Sequence, residues 1–150
     1  MEHLKNWLVW LFEGINKYAD KEFKENIFHH LGENCYKKSI MNEVSEKISR
    51  ELVVNVSADN TDQVVEFLSK KMTDFTFNKK IDGFTVNLNN NKCFCPIVNE
   101  GLVSDESMCN CTKGFDKKMY ETILKREVEI TIIDSLLKNG KSCLFQIKIF

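Results

Sequence analysis

A chain of 150 residues is long enough to bury a hydrophobic core without staples and has the size of one domain, 1–150. Its 21 basic and 22 acidic side chains nearly cancel and form no basic stripe, which excludes nucleic acid and anionic membrane surfaces as expected partners. The longest unbroken apolar run, Trp7 to Phe12, is far too short to span a bilayer, so a cytoplasmic protein is expected, its six cysteines reduced or metal-bound rather than disulfide-bonded.

Leu4, Trp7, Leu8, Leu11, Phe12, Ile15 and Tyr18 recur at helical spacing and predict an amphipathic first helix. Val9 and Trp10 widen its apolar face, which then needs cover on two sides, either within the fold or from a second copy in a homodimer through this helix. Phe23, Ile27 and Leu31 predict a second helix, with Gly32 as its C-terminal cap and His29 and His30 in its last turn. From Cys35, the positions Tyr36, Ile40, Val44 and Ile48 predict a third, and Leu52 to Val56 reads as its end or as a short strand. Asn60 with Gln63 resembles a capping box ahead of a fourth helix carrying Val64, Phe67, Leu68 and Met72.

After Met72 the period falls from four to two. Phe75 and Phe77, then Phe84, Val86 and Leu88, predict a hairpin. Asn89-Asn90-Asn91 reads as a turn into a strand from Cys93 to Val98, bent or placed at an edge by Pro96, the only proline. A polar loop leads to Cys109, and Thr112 or Asp116 can cap a helix carrying Phe115, Met119, Tyr120 and Ile123. Val128 to Ile133 and Cys143 to Phe150 predict two closing strands, joined near Asn139-Gly140. The resulting expectation is an α+β fold, N-terminal helices packed on an antiparallel sheet of about five strands.

Four of the six cysteines form two Cys-x-Cys pairs, Cys93 with Cys95 and Cys109 with Cys111. On extended strands each pair presents both thiols on one face, so two adjacent strands would gather four sulfurs in one patch. Three readings stay open: a zinc site of Cys93, Cys95, Cys109 and Cys111, a thiol-lined ligand pocket, or ordinary buried thiols. Zinc needs a bend, because same-face residues on a strand lie nearly 7 Å apart while tetrahedral sulfurs lie within about 4 Å. For a pocket, Cys35, Tyr36 and His30 are the helical residues expected near its mouth. Cys111 is the candidate nucleophile, since it precedes the expected helix and neighbours Lys113, both of which favour a thiolate. Glu100, Asp105 and Glu106 are further acid–base or hard-metal candidates, or simply a solvated loop.

The stretches Cys93-Phe94-Cys95-Pro96-Ile97-Val98 and Cys109-Asn110-Cys111-Thr112-Lys113-Gly114-Phe115, with Asp134-Ser135 and the closing Gly140-x-x-Cys143-x-Phe145, resemble the family related to L-2-amino-thiazoline-4-carboxylic acid hydrolase. They also resemble 4-vinyl-reductase-like small-molecule-binding domains, which share a fold with a nitric-oxide-signalling sensor and with Golgi-transport proteins. The likeness covers roughly Cys93 to Ile149, with an echo in Gly32-x-x-Cys35. It implies the ligand-binding domain fold of those proteins and two alternative roles. One is a small-molecule-binding domain with a cysteine-lined pocket; the other is a hydrolase of a cyclic carbon–nitrogen substrate related to aminothiazoline carboxylate. The position that often reads acidic-then-Cys is Asp134-Ser135 here, one thiol short of the pattern.

Overall fold

The computed structural model describes residues 2–57, 59–89, 93, 95–138 and 140–150. The chain runs α1 (Glu2–Tyr18), α2 (Lys21–Lys38), α3 (Ile40–Asn55), α4 (Thr61–Lys71), β1 (Phe75–Lys80), β2 (Gly83–Leu88), α5 (Pro96–Asn99), α6 (Cys109–Leu124), β3 (Val128–Asp134) and β4 (Leu144–Ile149). Short 3₁₀ turns at Glu106–Met108 and Leu136–Lys138 precede α6 and follow β3.

The sheet has the order β1-β2-β4-β3 with every pairing antiparallel, so the α+β expectation holds, with four strands described. β1 and β2 form the expected hairpin, Phe77 opposite Val86 and Lys80 opposite Gly83. The two segments carrying the cysteine pairs are not strands. Pro96 begins a single helical turn, where its missing N–H is no loss, and Cys109 opens α6. Asn90 and Asn91 of the expected second turn, and Asn139 of the expected closing turn, lie outside the described residues.

Local chemistry explains most helix boundaries. The Asp20 carboxylate accepts from the Phe23 amide at the start of α2, and the Asn60 side chain accepts from the Gln63 amide at the start of α4. The Gln63 side chain, however, accepts from Ser57 rather than closing the box on Asn60. Leu52 to Asn55 are the last turn of α3, not a strand.

Gly32 does not cap α2, which continues to Lys38; the third helix accordingly starts at Ile40, after the break at Ser39, and not at Cys35. The reason is tertiary. A Cβ on Gly32 would stand 1.9 Å from the Cys111 carbonyl oxygen, and one on Gly114 would stand 2.1 Å from that of His29. Two glycines therefore let α2 and α6 touch backbone to backbone.

The main core lies between the helices and the sheet, with Leu68, Phe84, Tyr120, Ile123 and Ile147 fully buried. Phe84 meets Tyr120 edge-on at 5.4 Å. A smaller cluster holds α1 in place: Phe12 stacks on Phe28 at 5.8 Å, beside Val103 and Met108. Phe12 is the one buried residue of α1, while Leu4, Trp7, Trp10 and Tyr18 are more than half exposed. The surplus apolar face read from the sequence is thus left uncovered by the fold. Among the described residues, no helix is long and apolar enough to cross a membrane.

Candidate ligand cavity

α6 is the spine of the site. Its apolar residues fall three and four apart, so Phe115, Met119, Tyr120 and Ile123 turn inward. Where α6 crosses the sheet, the side chains do not meet completely, and a cavity of about 140 Å³ remains. Phe75, Val86, Leu88 and Phe145 form its sheet wall; Cys109, Thr112, Phe115, Asp116 and Met119 form its helix wall. Cys93, Leu137, Cys143 and Met41 also line it, together with the exposed Asp74.

The helical start of α6 separates the cysteine pair that a strand would have kept together. Residues two apart on a helix diverge by roughly 200°. Cys109 is buried toward the cavity, with its sulfur 2.9 Å from the Ser135 hydroxyl. Cys111 points the other way, into the Phe12–Phe28 cluster, where Cys95 also packs. The four-sulfur patch of Cys93, Cys95, Cys109 and Cys111 is therefore not formed, and among the described residues no three His, Cys, Asp or Glu groups converge as metal ligands. Cys93, Cys109 and Cys143 make a different trio, on the cavity.

Cys143 reaches this place through the loop after β3. The Asp134 carboxylate accepts from the amides of Ser135, Lys141 and Ser142 at 2.9, 3.1 and 3.4 Å. Gly140 lies so close that an added Cβ would stand 1.9 Å from that carboxylate. The Gly-x-x-Cys signature thus has a physical reason: only a glycine leaves room for the acid that pins the loop. Ser135, in the position where a second thiol was missed, instead joins Cys109 to the Leu137 amide.

The thiols differ in acidity. A hydrogen bond from the Cys93 thiol, helped by the Leu136 amide, pulls Cys143 below the ordinary thiol range against burial and the nearby Asp134 charge. The same contact, followed by burial, drives Cys93 strongly upward. Burial, then Cys95 and Cys35, push Cys111 up to about 12. The helix begins two residues before Cys111 and its thiol packs in apolar surroundings, both of which disfavour a thiolate there. At pH 7.5, limiting iodoacetamide followed by peptide mass mapping is expected to label the exposed Cys35 ahead of the buried Cys109 and Cys143. Cys109 and Cys111 should stay protected until denaturant is added, and early labelling of Cys111 would reverse this order.

The helical residues expected at the mouth lie elsewhere. Cys35 is exposed, His30 is exposed with its ring 2.9 Å from the Asn34 amide, and Tyr36 is buried edge-on against Phe115. Glu100, Asp105 and Glu106 do not line the cavity; Asp105 instead caps the turn before α6 by accepting from the Ser107 amide. His29 pairs with Glu33 at 3.6 Å in mid-helix rather than stabilising a terminus.

Asp116 is the residue that sequence reasoning misplaced. It is no helix cap but sits in the middle of α6, partly exposed, and lines the cavity. Burial, then the charge at Cys143, push its carboxyl up to about 7. The available signal was an acid within the stripe Phe115, Asp116, Met119, Tyr120, where a solvated face is not expected.

The family model described as a family of unknown function, DUF6144, matches residues 2–150. No curated protein matches the chain. Among solved structures, the chain is similar to a trafficking protein particle complex subunit 3 from Naegleria fowleri, determined covalently bound to palmitic acid. The TM-score is 0.51 at 12% identity, covering 100% of this chain and 97% of that one. At that identity the likeness concerns the fold alone, and it agrees with the fold expected from the resemblance to Golgi-transport proteins.

Proposed function

We propose, for a chain that belongs to this family of unknown function, a role argued from its own site: it is a small-molecule-binding domain whose ligand occupies the cavity between α6 and the sheet. The observation that carries this reading is the cavity itself. Protein interiors are close-packed, and voids larger than a water are few. Here a space of about 140 Å³ combines an apolar lining with a small set of convergent polar groups, Cys93, Cys109, Thr112, Asp116 and Cys143, which is the composition of a ligand site. A dry engineered cavity of ~150 Å³ takes benzene. The space suits a ring or a short branched chain, much less than the palmitic acid carried by the Naegleria protein.

Toluene tests the reading. Saturating toluene is expected to raise the melting temperature by a few degrees, as a ligand that binds only the folded state must. Thr112→Met, which fills the cavity, should remove most of the shift. No shift in the native protein, together with no heat of binding, would refute the cavity as a ligand site.

The alternative, hydrolysis of a cyclic carbon–nitrogen substrate, draws support from the acidified Cys143 and not from Cys111. No histidine lines the cavity to serve as base, so binding is the better-supported role. A protein partner, with a second copy as one choice, would sit on the bare face of α1, where Trp7 and Trp10 are exposed. Six free thiols suit a reducing compartment such as the cytoplasm.

A further inference from the structure

We propose that the ligand is a small apolar amine, its cationic nitrogen paired with the Asp116 carboxylate inside the cavity. The proposal rests on the cavity being a ligand site, and names the chemistry that site selects.

Asp116 lies on α6 between the buried Phe115 and Met119 and lines the cavity, itself partly exposed. It has no hydrogen-bond or ion-pair partner among the described residues. The other acids of interest are held: Asp134 by three amides, Asp20 by the start of α2, Asp105 by Ser107. A partly buried carboxyl without a partner on an apolar wall is costly to charge, and a cationic group entering the cavity would offset that cost.

The charge of the lining decides the sign of that missing partner. Among the described residues, Asp116 and Asp74 are the charged residues on the cavity wall, and no Lys, Arg or His lines it. Cys143, acidic for a thiol, adds to the negative field. An anionic ligand would meet repulsion from three groups, and a neutral hydrocarbon would leave Asp116 unsatisfied. A cation satisfies it with a charge-assisted hydrogen bond in a site of low dielectric. Thr112, one turn earlier on the same helix wall, offers a hydroxyl oxygen as second acceptor. The rings of Phe75, Phe115 and Phe145 suit both an apolar body and, by their faces, a cation.

Calorimetry with benzylamine, benzyl alcohol, benzoate and toluene separates the possibilities. Benzylamine is expected to bind at least about tenfold more tightly than benzyl alcohol, with benzoate not bound. Asp116→Asn should level amine and alcohol while leaving toluene bound, whereas Asp74→Asn, at an exposed position, should reduce the amine preference only slightly. Amine affinity should also rise between pH 6 and pH 8, as Asp116 deprotonates while the amine stays charged; Cys93, Cys109 and Tyr120, held above their ordinary ranges, remain neutral there, and Cys143, pulled below the ordinary thiol range, adds negative charge in the same sense. Equal binding of amine and alcohol, or a preference surviving Asp116→Asn, overturns the proposal and leaves the cavity reading standing. Failure of toluene as well as benzylamine to bind overturns both.

Discussion

Gly32→Ala is expected to cost more than about 4 kcal/mol, enough to unfold a domain of ordinary stability. The new methyl would lie 1.9 Å from the Cys111 carbonyl oxygen and 2.8 Å from both the Cys111 carbonyl carbon and the Phe115 nitrogen. All three are backbone atoms of a helix, so no side-chain rotation relieves the overlap and α2 and α6 must separate. Separation would open the packing of Tyr36 on Phe115 and move the cavity's helix wall. Gly114→Ala meets the His29 carbonyl in the same way, and the two changes should not add, since either one alone already parts the helices. Gly14→Ala is the control: nothing lies within 4 Å of its added carbon, and on an open helix the change should stabilise by up to about 1 kcal/mol. Urea unfolding followed by circular dichroism measures all three. A Gly32→Ala protein within about 1 kcal/mol of the parent would show that the two helices do not need their backbone contact.

Asp116→Asn is expected to stabilise the protein, and to do so only when the pH is high enough. The folded-state pKa of about 7 lies above the ordinary aspartate value of 3.8, so folding favours the protonated form. Stability contributed by that proton is fully present below about pH 4 and is lost as pH rises through about 7. The gap between the two values corresponds to about 4 kcal/mol as an upper bound above pH 8, reduced by any water or ligand that reaches the carboxyl. Asparagine has no charge to desolvate, so the variant should match the parent near pH 4 and exceed it at pH 8. Thermal melts at both values test the sign. Equal stability at pH 8 would mean that the carboxyl is well solvated in the folded state. The same variant should lose amine selectivity, so stability and selectivity pull in opposite directions at this residue.

The sequence by itself determined the elements with a strong period and a local cap. Four N-terminal helices, the Phe75–Leu88 hairpin and the two closing strands follow from spacings of three and four or of two, because a segment that buries one face must repeat with its own geometry. The extra width of α1 was legible too, but whether the fold covers it was not, and the structure leaves Trp7 and Trp10 exposed. The site was only half legible. The cysteine-bearing stretches stood out in the sequence; their arrangement did not, because Cys-x-Cys says nothing about whether the backbone between the thiols is extended or helical. The tertiary structure chose the helix, turned Cys109 and Cys111 to opposite sides, and brought Cys143 in from the far end of the chain. Gly32 could be read as a cap because glycine serves both left-handed turns and close contacts, and only the approach of α6 distinguishes them. Asp116 is the same kind of case. A charge in an apolar stripe can cap a helix, reach solvent or face a void, and which one it does depends on how completely the opposing sheet fills the space, a quantity that exists only once the layers have packed.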